Sequence, residues 1–175
     1  VYLLSAGRPV VDVAVLYPQC NQWAGYGPGM IEETISRLAA SQIDADIIDP
    51  ASLLRAEIQE NALVVGPMRY RLLVVPGLRC IRRSEADAIR RFADAGGSVI
   101  VHDRWPADSA EGGVDDPYLA QFVRDLEAKG VRLSSIEDTA AAIATSIGRD
   151  LEVAGPDASS VRYQHVNHAD NDMYW

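Results

Sequence analysis

The segment Arg71-Leu-Leu-Val-Val-Pro-Gly-Leu-Arg-Cys-Ile81 is the strongest indication of the fold in this sequence. Its Leu72–Val75 run is apolar at every position, which predicts a strand that is covered on both faces. Pro76 and Gly77 follow directly and predict a turn at the end of that strand. A buried strand ending in a tight turn is typical of a parallel sheet packed between helices.

The residues after this turn predict the other half of a β-α-β unit. Apolar residues recur at helical spacing from about Ser84, which we expect to cap the helix, with Asp87 favourable in its first turn. Gly96 and Gly97 predict the end of the helix, and residues 98–101 form a second apolar run. Two parallel strands joined by a helix almost always have a right-handed crossover.

Similar patterns extend in both directions from this unit. We expect strands at residues 10–17, 45–48 and 131–133, helices at 30–41, 52–58, 117–129 and 136–147, a loop at 19–29 and a small β excursion at 61–68. Strands alternating with helices predict a three-layer, doubly wound α/β fold with a mostly parallel sheet. Ligands of such folds bind beyond the carboxyl ends of the strands.

Composition excludes several functional classes. The net charge of −9 argues against nucleic-acid binding and against an anionic membrane surface. No apolar run approaches the roughly 18 residues of a membrane span. The only two cysteines, Cys20 and Cys80, show no zinc or redox spacing, and no nucleotide fingerprint follows a strand, so we expect no cofactor.

The chain starts at Val1 without a methionine and ends in the strand-like residues 173–175. We therefore expect a piece of a longer polypeptide. Residues 1–9 would end a preceding element, residues 10–150 would form the α/β domain, and residues 151–175 would be a linker with the first strands of a following β module. The cellular location is left open, because a targeting signal would lie elsewhere.

One candidate for chemistry is a thiol site built from Cys80, with His102 as base and Asp103 to orient it. Neighbouring arginines would favour the thiolate. A nucleophile in a strained strand-to-helix turn needs small residues on both sides, whereas Arg79 and Ile81 flank Cys80. We therefore keep a self-sufficient thiol hydrolase or amidotransferase that uses Cys80 and His102 only as an alternative function.

Two further groups of residues are candidate sites. The run containing His165, His168, Asp170 and Asp172 holds potential metal ligands, although a hairpin turn explains the same composition. The second group comprises the aromatic residues Trp23, Tyr26 and Trp105 near the expected sheet edge. These could stack on a small ligand, but we favour an interface role, because such side chains are enriched where proteins meet.

The order of several segments resembles the α-L-rhamnosidases of glycoside hydrolase family 106. The resemblance covers nearly the whole chain and consists of the following stretches: Val11-Asp-Val-Ala-Val-Leu-Tyr-Pro18, Asp44-Ala-Asp-Ile-Ile-Asp-Pro50 with Ser52-Leu53, Tyr70-Arg-Leu-Leu-Val-Val-Pro-Gly77, Phe92-Ala-Asp-Ala-Gly-Gly97, Pro106 with Asp108-Ser109, and Asp172-Met-Tyr-Trp175. The region resembled is their class I glutamine amidotransferase-like, flavodoxin-like domain. The resemblance agrees with the lack of the Gly-x-Cys-x-Gly of working amidotransferases around Cys80. One departure is His165-Val166, where rhamnosidases tend to have His-Arg.

This resemblance implies a specific function. In such enzymes the catalytic carboxylates lie in a separate barrel and β-sandwich modules follow, while a similar domain of family 42 β-galactosidases serves trimer assembly. We therefore expect a non-catalytic scaffold or interdomain domain, able to serve oligomerisation, of a carbohydrate-active hydrolase. Its partners would be the neighbouring barrel and β-sandwich domains, and a carbohydrate would be the substrate of the parent protein. A small-molecule binding module is a further alternative.

Overall fold

The computed structural model describes residues 7–168 and 171–174. The strands, numbered along the chain, are β1 (Arg8–Pro9), β2 (Val13–Leu16), β3 (Ala45–Ile48), β4 (Glu57–Gln59), β5 (Ala62–Val65), β6 (Met68–Tyr70), β7 (Leu72–Val75), β8 (Cys80–Ile81), β9 (Ser98–His102), β10 (Asp108–Ser109), β11 (Leu133–Ser134), β12 (His165–His168) and β13 (Asn171–Tyr174). The α-helices are α1 (Gln19–Trp23), α2 (Ile31–Ala40), α3 (Pro50–Arg55), α4 (Arg83–Asp94), α5 (Pro117–Ala128) and α6 (Thr139–Ile147).

A five-stranded parallel sheet in the order β11-β9-β7-β2-β3 forms the centre of the fold. Counted along the chain, its strands lie in the spatial order 2-1-3-4-5, which is the flavodoxin-like arrangement. The predicted fold class is therefore confirmed. Strand β7 lies in the middle and is buried at all four positions, as its unbroken apolar run predicts.

Alternating residues of β7 divide the core into two layers. Leu73 and Val75 pack with a cluster that includes Ile89, Phe92 and residues of α3, α4 and α5. Leu72 and Val74 pack with a second cluster formed by residues of α2 and α6. The period of two along each strand produces this division, because successive side chains point to opposite faces.

The structure departs from the sequence predictions at several places. Helix α4 begins two residues earlier than a Ser84 cap predicts, with Arg82 as its N-cap, so the predicted Ser84 cap is wrong. The predicted loop 19–29 contains the short helix α1. The predicted β excursion at 61–68 belongs to a larger three-stranded antiparallel sheet, β4-β5-β6. Its first strand begins at Glu57, so the helix predicted at 52–58 is wrong at its end and stops at Arg55.

The two ends of the described chain meet in a small antiparallel sheet. Strand β12 pairs with β13 on one side and with β1 on the other, and the Val10 backbone N–H donates to the His165 carbonyl at 3.0 Å. Residues 1–6 and Trp175 lie outside the described residues, so the proposed division at residues 9 and 150 remains a prediction. None of the described helices is both long and apolar enough to cross a bilayer.

Candidate functional site

A surface cavity of about 300 Å³ lies beyond the carboxyl ends of β2, β7 and β9, where the fold places ligands. We call it the rim cavity. Its walls come from α1, from β8 and from the loop around β10, and they comprise Cys20, Trp23, Ala24, Tyr26, Cys80, Arg82, Asp108, Ser109, Ala110, Gly113 and Val114. Both cysteines and two of the three predicted aromatics therefore share one cavity.

Asp108 organises one wall of the rim cavity. Its buried carboxylate accepts hydrogen bonds from Tyr26 Oη at 2.6 Å and from Arg79 Nε at 2.8 Å, and the Arg79 guanidinium lies 5.2 Å from the centre of the Tyr26 ring. Burial acts to raise the pKa of Asp108, but these hydrogen bonds, a third from the Asp115 backbone N–H and the charge of Arg79 together outweigh it and lower that pKa. The wall is thus held by an ionised, fully engaged carboxylate.

A second buried carboxylate, Asp116, supports the loop behind this wall. It caps α5 through the Tyr118 backbone N–H at 3.0 Å and binds both Arg83 Nε and Nη2 at 2.8 Å. The Ser109 hydroxyl donates to it as well. The Arg83 guanidinium, followed by the Ser109 hydroxyl, holds the pKa of Asp116 well below its usual range.

Asn21 joins α1 to the turn that precedes α4. Its side-chain oxygen accepts from the backbone N–H groups of Arg79 at 2.9 Å and of Cys80 at 3.0 Å, and its amide donates to the Gly27 carbonyl at 3.0 Å. Asn21 is buried, so these bonds satisfy groups that water does not reach. Helix α1 is fixed by contacts with residues far away in the sequence, which is why it was predicted as a loop.

Asn21 places its neighbour Cys20 against Cys80 on the floor of the rim cavity. The two Sγ atoms are 2.7 Å apart, and both residues are free, buried thiols. Burial, followed by the contact with Cys20, raises the pKa of Cys80 to about 12. Such a thiol is almost wholly protonated at neutral pH and is a poor nucleophile in that form.

The predicted partners of Cys80 do not face it. His102 is fully buried in the layer of α2 and α6, where it contacts the hydroxyls of Thr34 at 3.0 Å and Thr139 at 2.6 Å. Because the Thr139 hydroxyl donates to the Ser135 carbonyl, we assign Nε2 of His102 as the donor and Nδ1 as the acceptor. The Cys80–His102 dyad is therefore not assembled in this structure.

The state of His102 and Asp103 also opposes a role in base catalysis. Burial lowers the pKa of His102 to about 4, and both of its ring nitrogens are already hydrogen-bonded. Asp103 is exposed and lies near Arg104, with 3.7 Å between the charged atoms. It does not hydrogen-bond to His102, so it does not orient the imidazole as predicted.

Two of the three aromatic residues predicted near the sheet edge line the rim cavity, and the third does not. Trp23 and Tyr26 line the rim cavity and expose 69% and 42% of their surface, and Arg82 lies 5.7 Å from the Trp23 ring centre. Trp105 is partly buried and packs against the core below α4 and α5. It therefore contributes to packing and does not line the cavity.

The run proposed as a metal site is held together by hydrogen bonds. Both ring nitrogens of His165 are engaged, Nδ1 with Asp150 at 2.8 Å and Nε2 with Asp172 at 3.0 Å. His168 Nε2 is buried without a hydrogen-bond partner, and residues 7–168 and 171–174 contain no cluster of three or more metal-binding side chains. Asp170 lies outside the described residues, so the full four-residue set remains a prediction.

Glu85 was not among the residues predicted from the sequence. It is the third residue of α4 and is 2% exposed, and one carboxylate oxygen has no hydrogen-bond partner. Burial raises its pKa to about 7, although the Arg82 backbone N–H opposes this. A glutamate three residues after the N-cap is the expected partner of a capping box, so the spacing from Arg82 could have identified it.

Taken together, these elements define a flavodoxin-like α/β domain whose rim carries buried thiols and paired charges. No protein-family model matches the sequence, and no curated protein matches it. Two solved structures are similar: Gan42B, a GH42 β-galactosidase, at 18% identity and a TM-score of 0.43, and a β-galactosidase from Bifidobacterium adolescentis at 16% identity and a TM-score of 0.47.

The two similarities differ in extent. The first covers 61% of this chain but only 16% of Gan42B, and the second covers 95% of this chain and 90% of the other. Neither protein is a rhamnosidase by name, so the family 106 assignment remains a prediction. At these identities the activity of the two enzymes does not carry over to this chain.

Proposed function

We propose that this chain is a non-catalytic scaffold and interdomain domain of a carbohydrate-active glycoside hydrolase, most like an α-L-rhamnosidase. The main support is how the residues that could perform chemistry are engaged. Cys80 faces a second protonated thiol, and His102 lies in the layer of α2 and α6, between the hydroxyls of Thr34 and Thr139. The ordered resemblance of its segments to rhamnosidases supports the choice of parent enzyme.

The rim supplies a surface for such a role. Trp23, Tyr26 and Val114 line the same cavity, and they expose 69%, 42% and 65% of their surface. A contiguous apolar patch with arginines beside it is typical of a protein interface. In this proposal a neighbouring domain of the same polypeptide covers the patch, and the paired carboxylates of a separate barrel cleave the glycosidic bond.

Binding between this chain and the rest of its parent polypeptide tests the proposal. Calorimetry should give a measurable affinity, which Trp23→Glu weakens at least about tenfold, because a buried interface charge without a partner costs over about 1.4 kcal/mol. Ile47→Glu is the matched control, since Ile47 is 52% exposed on edge strand β3, away from the rim cavity. Equal affinity of the Trp23 variant and wild type would contradict the proposed interface.

The parent activity is tested separately. Aryl α-L-rhamnosides and aryl β-galactosides, offered to the full polypeptide, should show turnover of the rhamnoside. Turnover of the galactoside alone would retain the scaffold role and overturn the rhamnosidase assignment. Turnover by the isolated chain would contradict the scaffold role itself.

The rim cavity also favours a second candidate, a small-molecule binding module. Its volume of about 300 Å³ is at the lower end of ligand pockets, and its walls combine apolar surface with a few fixed polar groups. Titration with rhamnose, flavin and nucleotide, followed by calorimetry, tests this function. A saturable change that Val114→Trp abolishes, by filling the cavity, would favour binding over the scaffold role.

A further inference from the structure

The two cysteines of the rim cavity form a pair without a role in the scaffold function. They are 60 positions apart in sequence, yet their Sγ atoms lie at 2.7 Å. The chain contains no other cysteine. Asn21 fixes this placement, because it follows Cys20 directly and accepts a hydrogen bond from the Cys80 backbone N–H.

The pair is buried but not sealed. Cys20 and Cys80 are 6% and 3% exposed, and both line the rim cavity, whose volume admits a small molecule. Its mouth is bordered by Trp23 and Val114, which are mostly exposed. A small reagent can thus reach thiols that a macromolecule cannot.

We propose that Cys20 and Cys80 form a reversible intramolecular disulfide by exchange with a low-molecular-weight disulfide that enters the rim cavity. This modification site does not depend on the scaffold role. It links α1, which carries Trp23, to β8, which precedes α4. The bond therefore joins two walls of the cavity.

The two thiols differ in the order in which they react. Burial raises the pKa of both thiols, and the pKa of Cys80 reaches about 12. Cys20 is the more exposed of the two, at 6% against 3%. We therefore expect Cys20 to react first, because exchange needs an accessible thiolate.

The exchange is balanced with cystamine as the oxidant. The Cys20 thiolate attacks one cystamine sulfur, the cystamine S–S bond breaks, and a cysteamine thiolate leaves and takes up the proton that Cys20 lost. The Cys80 thiolate then attacks the Cys20 sulfur, and the second cysteamine leaves and is protonated in the same way. The protein loses two protons and two electrons, which is two hydrogen atoms in mass, and one cystamine becomes two cysteamines.

Incubation of the reduced, desalted protein with cystamine tests the proposal. We expect an intact mass lower by two hydrogen atoms, no titratable thiol after denaturation, and full reversal by dithiothreitol. Because Arg8 precedes a proline, trypsin should leave peptide 1–37 intact and disulfide-linked to the tripeptide 80–82. The wild-type map alone decides whether the bond forms, even if a variant fails to fold.

Two matched variants test the order of attack. Cys80→Ser should stop at one cysteamine adduct on Cys20, and Cys20→Ser should form its adduct on Cys80 at least about twofold more slowly, because Cys80 is the less exposed thiol. Wild-type protein that accumulates two adducts, or forms disulfide-linked dimers, would overturn the proposal. Cross-linking only in urea would overturn it as well, since the native pair would then not be the reacting species.

Discussion

Glu85 and His102 give the stability of this domain two opposing dependences on pH. Both side chains are buried, at 2% and 0% exposure, and they lie in different layers of the fold. Burial raises the pKa of Glu85 from 4.5 to about 7 and lowers the pKa of His102 from 6.5 to about 4. Each group therefore resists ionisation in the folded state.

The signs of the two effects are opposite. As pH rises from 4.5 to 7, the unfolded state loses the Glu85 proton while the folded state keeps it, so stability falls. As pH drops from 6.5 to 4, the unfolded state gains a proton on His102 while the folded state does not, so stability again falls. Each pKa difference corresponds to about 3 kcal/mol, and the two partly cancel between these limits.

Glu85→Gln should separate the two effects. Gln resembles the protonated carboxyl and keeps the hydrogen bond of the helix start, so the variant should be more stable than wild type by up to about 3 kcal/mol at pH 8. At pH 4 the two proteins should be equally stable. Urea denaturation followed by circular dichroism across this range measures the difference.

A matched control is Glu33→Gln, an exposed glutamate in the first turn of α2. Its stability should follow that of wild type within about 0.5 kcal/mol at every pH, as expected for exposed positions. A Glu85→Gln variant that is less stable than wild type at pH 8 would show that burial does not disfavour ionisation of Glu85. A stability difference that does not change with pH would show the same.

Three further predictions concern the same core and rim. Thr34→Val should lower the free energy of unfolding by about 1–3 kcal/mol, because it leaves Nδ1 of His102 buried without a hydrogen-bond partner. Thr145 is exposed, so Thr145→Val should lower it far less, and thermal unfolding compares the two variants. Asn21→Ala should lower the free energy of unfolding by about 2–4 kcal/mol, because the backbone N–H groups of Arg79 and Cys80 lose their acceptor. An unchanged urea midpoint would contradict this. The Cys20–Cys80 disulfide closes a loop of 60 positions and should stabilise the domain by about 4 kcal/mol, measured as a higher urea midpoint that dithiothreitol abolishes.

The sequence predicted the sheet well because each buried strand is an unbroken apolar run. Leu72–Val75 is the clearest case, since no polar residue interrupts it and the structure buries all four positions. The end of α4 was also predictable, because Gly96 takes the positive φ of 85° that follows many helices. In these elements the local sequence and the final fold favour the same conformation.

The arrangement of side chains around the rim cavity could not be predicted from local sequence patterns. Helix α1 depends on Asn21, whose partners are 58 and 59 positions away in sequence. The pairing of Arg79 with Asp108 likewise spans 29 positions, and no periodic pattern encodes it. Candidate residues at the strand ends could be named from the sequence, but tertiary contacts set their orientation. His102 points into the layer of α2 and α6, whereas Cys80 lines the rim cavity.

We propose that this chain has no active site of its own, and turnover assays on the isolated chain with activated esters, glutamine and aryl glycosides test this proposal. We expect no turnover above the uncatalysed rate with any of these substrates. Saturable turnover of any one of them would contradict the proposal. Loss of that turnover in both Cys80→Ala and His102→Gln, each with a native circular dichroism spectrum, would assign it to the thiol site.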